Sequence, residues 1–386
     1  MKTLYGNKNE CCGCSACVNI CPKQAIHMEY DEKGYLYPII SEDLCIDCKL
    51  CEKVCPLKAE KEETLFEKKA YGVKNKDDAE RRNSSSGSVF IEVAKYILHK
   101  QGVVYGVELT SDYRVKHNRA ETIEQARKFQ GSKYVQSEKN KIFQLVQEDL
   151  KEGKVVLFTG TPCEVDGLKN FLRKEYENLY TLDLICHGVP STKLFNLYLA
   201  EREKKSNTKI KTLTFRDKNY GWRNQELSIE YENGTNYHSP IWEDDFYRLF
   251  TSNYVLRDSC YTCKFANMER KGDITIGDFW NIKNVSEKFE DKLGVSSIVV
   301  NSEKGQRLFE SLRNDFDVIE CSLNDITQRN LQAPSEYPER YGEFQKDCCQ
   351  KGFEYCLKKY GSMGLLEKIR RTLSPVKQKV KRVLQK

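Results

Sequence analysis

Two cysteine runs near the start of the chain constrain it more than any other feature. The first reads Cys11-x2-Cys14-x2-Cys17-x3-Cys21-Pro22, the second Cys45-x2-Cys48-x2-Cys51-x3-Cys55-Pro56. In each, three thiols share a tight loop, the fourth follows about one helical turn on, and a proline turns the chain away. Either run alone also suits a structural zinc. Two copies, each closed by Cys-Pro, point to iron–sulfur chemistry and to a pseudo-twofold module over residues 1–58.

The repeated spacing is the one by which bacterial-type ferredoxins bind two 4Fe-4S clusters, the fourth cysteine of each run serving the other cluster. On that pattern Cys11, Cys14, Cys17 and Cys55 belong to one cluster, and Cys45, Cys48, Cys51 and Cys21 to the other. Lys23 to Ile40 is expected to form a hairpin between the runs, with Gly34 at its turn. Such a module handles electrons one at a time.

The chain carries 17 cysteines. Its start, Met1 to Gly6, lacks the apolar run of a secretory leader, and no stretch has the length of a membrane span. A cytoplasmic, reducing compartment is expected, where cysteines serve metals rather than disulfides. Exposed clusters of this kind also point to a low-oxygen setting, an anaerobe. Cys12 fits neither run and reads as a spare thiol. Cys321, Cys348, Cys349 and Cys356 match no ligand spacing.

Net charge is +6, but Leu357 to Lys386 holds ten Lys or Arg against Glu367, so that stretch is +9 and the remainder −3. The body is therefore no nucleic-acid binder by charge. In the basic stretch Leu365, Ile369, Leu373, Val376, Val380 and Val383 recur at helical spacing, broken at Ser374-Pro375. Residues 342–386 are expected as a basic amphipathic helical tail. Peripheral contact with an anionic membrane surface is one reading of it; a solvated helix or a partner-docking segment is the other.

Residues 59–70 are rich in Lys and Glu and read as a linker. From about Tyr71, strands and helices alternate. Ser88–Lys100, Lys139–Glu152 and Val165–Arg173 have helical periodicity, and Val103–Val107, Val155–Phe158 and Leu179–Ile185 read as strands. Residues 208–238 look like an antiparallel insertion turning at Asn233-Gly234. The fold class expected is a ferredoxin-like module followed, over 71–341, by a mixed-sheet α/β domain.

Further thiols lie in this second part. Cys163 follows a strand in Gly160-Thr161-Pro162-Cys163-Glu164, Cys186 follows another in Cys186-His187-Gly188-Val189-Pro190-Ser191, and Cys260-x2-Cys263 sits on a loop. Four thiols on three loops can close one four-thiolate site. A structural zinc or four unrelated buried thiols fit the same residues. Ser84-Ser85-Ser86-Gly87-Ser88 opens a helix, where free backbone N–H groups and the helix dipole suit a pyrophosphate. Nearby, Gly131-Ser132-Lys133-Tyr134 offers a positive charge and a ring. An ordinary helix cap beside a surface Lys-Tyr pair accounts for them equally well.

Taken with Cys260-Tyr261-Thr262-Cys263 and Gly272-Asp273-Ile274-Thr275-Ile276-Gly277-Asp278, these segments make the chain, from about Tyr71 to Tyr341, resemble the coenzyme F-420 hydrogenase/dehydrogenase beta-subunit family. Ser88 departs from it, standing where a second glycine is common. The resemblance implies FAD and a third 4Fe-4S cluster on Cys163, Cys186, Cys260 and Cys263. It implies flavin contacts at Ser85, Ser86, Gly87, Ser88, Ser132, Lys133 and Tyr134.

The expectation is an iron–sulfur flavoprotein oxidoreductase. It takes electrons from a ferredoxin or similar low-potential donor and reduces a small organic substrate, with relatives pointing to cell-surface polysaccharide metabolism. Two alternatives stand beside it: an F-420-dependent hydrogenase/dehydrogenase flavin subunit, and a non-catalytic electron relay in a larger complex. No residue marks itself as catalytic. Phe215-Arg216-Asp217-Lys218 and Gly221-Trp222-Arg223 either line a substrate pocket, with Trp222 or Arg223 on an anionic group, or form a hairpin surface. His187 either tunes a neighbouring cluster or is structural.

Overall fold

The computed structural model of the protein describes residues 2–59 and 65–362. The N-terminal module contains β1 (Lys2–Thr3), α1 (Ala16–Ile20), β2 (Ile26–Tyr30), β3 (Leu36–Ile40) and α2 (Leu50–Lys53). β3 pairs antiparallel with both β1 and β2. The β2–β3 hairpin turns through Gly34 (φ 81°). Ser15 (φ 66°) and Lys49 (φ 61°), each just after the second thiol of its run, take the same left-handed turn before a short helix. The pseudo-repeat of the sequence is thus a repeat of backbone shape.

The larger body begins with β4 (Lys69–Asn75), α3 (Asp78–Arg82), α4 (Val89–His99), β5 (Val103–Leu109), β6 (Val115–Ala120) and α5 (Ile123–Arg127). It continues with α6 (Ile142–Lys151), β7 (Val156–Gly160), α7 (Pro162–Leu172), β8 (Leu179–Leu184) and α8 (Thr192–Ser206). A three-stranded antiparallel sheet follows, β9 (Ile210–Asp217), β10 (Glu226–Tyr231) and β11 (Asn236–Pro240), then α9 (Asp245–Thr251). The chain returns through β12 (Ile274–Asp278), α10 (Ile282–Val285), β13 (Ser296–Val300), α11 (Glu303–Leu312) and β14 (Phe316–Cys321). Helices α12 (Leu323–Ile326), α13 (Tyr341–Lys351) and α14 (Phe353–Cys356) come last.

The fold is a mixed α/β architecture around an eight-stranded sheet of order β14-β4-β13-β12-β8-β7-β5-β6. β5, β7, β8 and β12 run parallel, and the flanking pairs are antiparallel. Alternation along the central strands feeds two cores. Val104 and Leu157 join Ile91, Ala94 and Ile97 of α4 on one face. Val103, Tyr105, Val156 and Phe158 join α6 and α7 on the other. Cys12, Cys14, Ala16 and Val54 of the module are buried in that second core, so the module is packed onto the α6–α7 side.

This topology decides where function can sit. β4 lies antiparallel to β13, which lies antiparallel to β12, so the carboxyl ends of β4, β5, β7, β8 and β12 all open at one edge. Ligands of open α/β sheets gather at such an edge. Phe344, Phe353, Cys356, Leu357 and Tyr360 are buried with Phe246 and Tyr247, so residues up to Gly361 belong to the core of the larger body. The apolar positions Leu365 to Val383 lie outside the described residues. Among the described residues no helix is long and apolar enough to cross a membrane.

Candidate functional site

Among the described residues, two thiol-lined cavities lie within the module and a third lies where the module meets the body. Cys11, Cys14, Cys17 and Cys55 line the first, and Cys21, Cys45, Cys48 and Cys51 the second. The first is the inner one, with Cys14 buried against α7; the second faces solvent, with Cys48, Leu44 and Ile46 exposed. Cys163, Cys186, Cys260 and Cys263 line the third.

The parallel sheet assembles the third cavity. Cys163 sits in the first turn of α7, which Thr161 and Glu164 close as a capping box with Pro162 at the first position. The dipole of that eleven-residue helix favours a thiolate there. Cys186 follows β8, and Cys260 and Cys263 stand on and after a 3-10 turn at Asp258–Thr262. The neighbouring Cys12 thiol, and then burial, raises the Cys163 pKa; burial raises those of Cys186, Cys260 and Cys263, that of Cys260 to about 12. A cation bound there reverses that preference.

Cys12, unassigned by spacing, lines both the inner and the third cavity. The neighbouring Cys14 thiol raises its pKa well above the usual value. A cysteine directly beside a ligand-type cysteine was the available signal, but spacing within the run gave it no partner across the chain.

The third cavity shares Thr161, Glu164, Cys186 and His187 with a larger one of about 650 Å³ that follows the carboxyl edge of the sheet. Its far end is the serine loop between α3 and α4, its near end Cys186, His187, Tyr247, Phe250 and Trp280. The loop and the Gly-Ser-Lys-Tyr segment meet there: Ser85 Oγ lies 2.7 Å from Ser132 Oγ and accepts from the Ser132 N–H at 2.9 Å. Ser86 Oγ lies 2.8 Å from Ser296 Oγ, and the Gly87 N–H donates to that same oxygen at 2.9 Å. A Cβ on Gly87 would stand 2.2 Å from the Val73 carbonyl, so only glycine lets the loop press onto β4. Ser88 takes φ 71°, the left-handed conformation that the missing second glycine adopts freely.

Lys133 lines the cavity, yet its Nζ donates to the carbonyls of Lys128 (3.0 Å) and Gln130 (2.8 Å), past the end of α5. Burial pulls its pKa down to about 7. Tyr134 lies edge-on to Phe215 and Tyr247 within the aromatic wall. Lys218 supports the serine loop: its Nζ donates to the carbonyls of Arg81 (2.6 Å), Ser86 (3.1 Å) and Leu293 (2.7 Å). Burial and the neighbouring Arg216 lower the Lys218 pKa to about 7. Arg216, paired with Asp278 at 3.0 Å, lines the main cavity and a polar one of about 520 Å³ that opens beyond Ser85 and Ser132.

Trp222 does not reach either cavity. It is buried against Trp280, their rings stacked 4.9 Å apart, while Arg223 pairs with Glu290. Arg216 and Lys218, earlier in the same segment, are the ones that face the site. His187 sits edge-on to Phe250, its Nε2 3.3 Å from the Phe250 carbonyl, and burial lowers its pKa.

A buried polar network underlies the shared wall. Lys139 Nζ lies 2.6 Å from Glu164 Oε1. Burial alone raises the Glu164 pKa, but Lys139 and His117 overcome it and hold the carboxyl at about 2. His117 Nε2 faces the Thr159 carbonyl at 3.1 Å and Nδ1 faces Ser137 Oγ at 2.9 Å. A carbonyl only accepts, so Nε2 carries the proton, and the single Ser137 hydroxyl proton is shared between His117 Nδ1 and Glu164 Oε1 at 3.1 Å. Burial lowers the His117 pKa to about 4.

Residues 153–325, which carry the four thiols of the third cavity, match the C-terminal family of the coenzyme F420 hydrogenase/dehydrogenase beta subunit. That segment is similar to the family. Residues 10–59 match a 4Fe-4S dicluster domain. The chain is thus an iron–sulfur redox protein that joins a dicluster module to a beta-subunit domain. The serine loop and the Gly-Ser-Lys-Tyr segment precede the matched beta-subunit residues. A chain of the F420-reducing NiFe hydrogenase complex from Methanosarcina barkeri is similar at 15% identity and a TM-score of 0.45, over 78% of this chain and 93% of that one. No curated protein matches the chain.

Proposed function

We propose that the protein is an iron–sulfur flavoprotein of the beta-subunit type. Cys11, Cys14, Cys17 and Cys55 hold an inner 4Fe-4S cluster, and Cys21, Cys45, Cys48 and Cys51 an outer one. Cys163, Cys186, Cys260 and Cys263 hold a third, and FAD lies in the cleft beside it. The observation that carries this reading is the succession of shared walls: Cys12 between the inner and third thiol cavities, and Cys186 with His187 between the third and the cleft.

The residues fit these groups. The thiols of each set stand around a cavity, as they must when each binds a different iron of one cluster. The cleft of about 650 Å³ has the size of a cofactor site, apolar and aromatic next to Cys186 and hydroxyl-rich at the serine loop. That polarity suits a ring system near the thiols and phosphates near the start of α4. Ser85 and Ser132 hold the two phosphate-side segments together, Gly87 sets the depth of the loop, and Tyr134 with Phe250 walls the ring end. A bound flavin supplies exchange between single electrons and a hydride.

For the two-electron partner, a deazaflavin of the F-420 type fits the family match better than a polysaccharide precursor, for which nothing speaks. Electrons enter or leave singly at the exposed outer cluster, through a ferredoxin-like donor or a partner subunit. The non-catalytic relay is the remaining reading.

Anaerobic purification with iron, sulfide and flavin assays tests the proposal. About twelve irons per chain with one FAD is the expected result. About eight irons without flavin overturns it and leaves the relay. Adding F-420 to the reduced protein then tests the partner: bleaching of the deazaflavin with oxidation of the bound flavin is expected, and no oxidation removes that partner.

A further inference from the structure

We infer that Arg257 is the charge that sets the reduction potential of the inner cluster, an inference that rests on the dicluster module and not on the third cavity.

Arg257 is fully buried, with 0% of its surface exposed, where the module meets the body. It precedes the 3-10 turn that carries Cys260 and stands three residues before that thiol. From there it reaches across to the first cysteine run. Its Nε donates to the Cys11 carbonyl at 2.8 Å, and its Nη2 donates to the Cys11 thiol at 3.5 Å. Nη1 donates to Gln136 Oε1 at 2.9 Å, and the Gln136 amide in turn donates to the Cys12 carbonyl at 3.1 Å. The guanidinium lies 4.0 Å from the centre of the Tyr37 ring. A Cβ on Gly13 (φ +71°) would fall 3.0 Å from Nη1 and 2.5 Å from the Gln136 amide, so the Cys-rich loop is closed tightly over this charge.

A guanidinium keeps its proton throughout the range in which proteins work. Here its neighbours are a thiol, a carbonyl, an amide and aromatic rings, and water is excluded, so its field is weakly screened. Reduction adds one electron and no proton, making the cluster one unit more negative. A fixed positive charge and a donor aimed at a ligand sulfur both favour that reduced form and raise the potential. The outer cluster, beside exposed Cys48 and lacking this contact, is the internal reference.

The test is an EPR-monitored anaerobic redox titration of the purified holoprotein and of Arg257→Met, Arg257→Gln and Arg257→Lys. Cys48→Ser identifies the outer cluster's signal. Removing the charge is expected to disfavour reduction of the inner cluster about tenfold, which for one electron is about 59 mV, while the outer cluster stays put. Arg257→Lys keeps the charge but loses the forked donor, so a smaller shift in the same direction is expected. If the neutral variants lose their iron, the lysine variant decides by the same sign. An unchanged inner potential in any variant that keeps its clusters, or equal shifts of inner and outer clusters, overturns the proposal. Finding about eight irons and no flavin defeats the functional reading of the third cavity, yet leaves the inner-versus-outer comparison to be decided on its own.

Discussion

The module and the larger body bring thiols together in different ways. In the module, eight cysteines from two local runs line two cavities, and the same left-handed turn at Ser15 and Lys49 recurs in each half. In the body, four cysteines from three distant loops meet only because β7 and β8 are parallel neighbours and the 3-10 turn packs across their ends. A local site is encoded by spacing. A topological site is encoded by the sheet, so changes remote in sequence can dismantle it.

The largest expected effect separates the two sites outright. Cys186→Ala should lower iron by about four per chain and release flavin too, because Cys186 is wall to both the third cavity and the cleft. Cys48→Ala should also remove about four irons yet leave the flavin in place. Iron and flavin assays on the two variants read this directly. Flavin retained at full occupancy in Cys186→Ala would break the contrast.

Acid should strike the body through its buried network. The His117 pKa is about 4 in the fold against 6.5 for the free side chain. Between those values the unfolded chain binds the proton and the folded one does not, so stability falls as pH drops from 6.5 towards 4. The full loss is about 3 kcal/mol. Glu164 acts in a lower window, its stabilisation disappearing as pH falls from 4.5 towards 2. In melting curves between pH 7 and 5, His117→Gln should flatten the decline. An identical slope in variant and parent would show that His117 is not the group responsible.

Gly87→Ala tests the topological site without touching a thiol. Its Cβ would meet the Val73 carbonyl and the Ser296 amide at 2.2 and 2.7 Å. Overpacking of this kind costs about 1–3 kcal/mol. The loop should lift, flavin should be lost, and the EPR signals of the dicluster module should persist. A variant that keeps flavin with parental affinity would remove the serine loop from the cofactor site.

What the sequence revealed follows the same division. The cysteine runs, the Gly34 hairpin, the alternation of β5 and β7 and the helical stripe of α4 are local patterns with a fixed period, so they are legible one segment at a time. Cys12 is not, because its partner Cys163 is far along the chain and no spacing rule connects them. Arg257 is a lone arginine in sequence; only the closure of module on body makes it a buried charge beside Cys11. Trp222 and Arg223 drew attention as an aromatic and basic pair, but Trp222 satisfies a core and Arg223 a carboxylate. Lys218, in the same stretch, faces inward because three backbone carbonyls converge on its amine.

The smallest expected effect concerns Ser88, where the chain departs from a pattern common in the family that it resembles. Ser88 holds φ 71° at the start of α4 and makes no side-chain cap to that helix. The left-handed conformation costs a non-glycine residue about 1–2 kcal/mol. Ser88 recovers part of this through the Ser84 hydroxyl, which donates to its Oγ at 2.9 Å. Glycine removes the strain, but it also gives up that bond and frees the unfolded chain. Strain relief of about 1–2 kcal/mol against about 0.4–1 kcal/mol of added unfolded-chain entropy should leave Ser88→Gly slightly more stable, read as a small rise in melting temperature with cluster signals unchanged. If flavin affinity also rises, the strained serine was limiting how closely the backbone approaches its ligand. If stability falls instead, the Ser84–Ser88 bond outweighs the backbone strain, and the loop is held by its hydroxyls rather than by its shape.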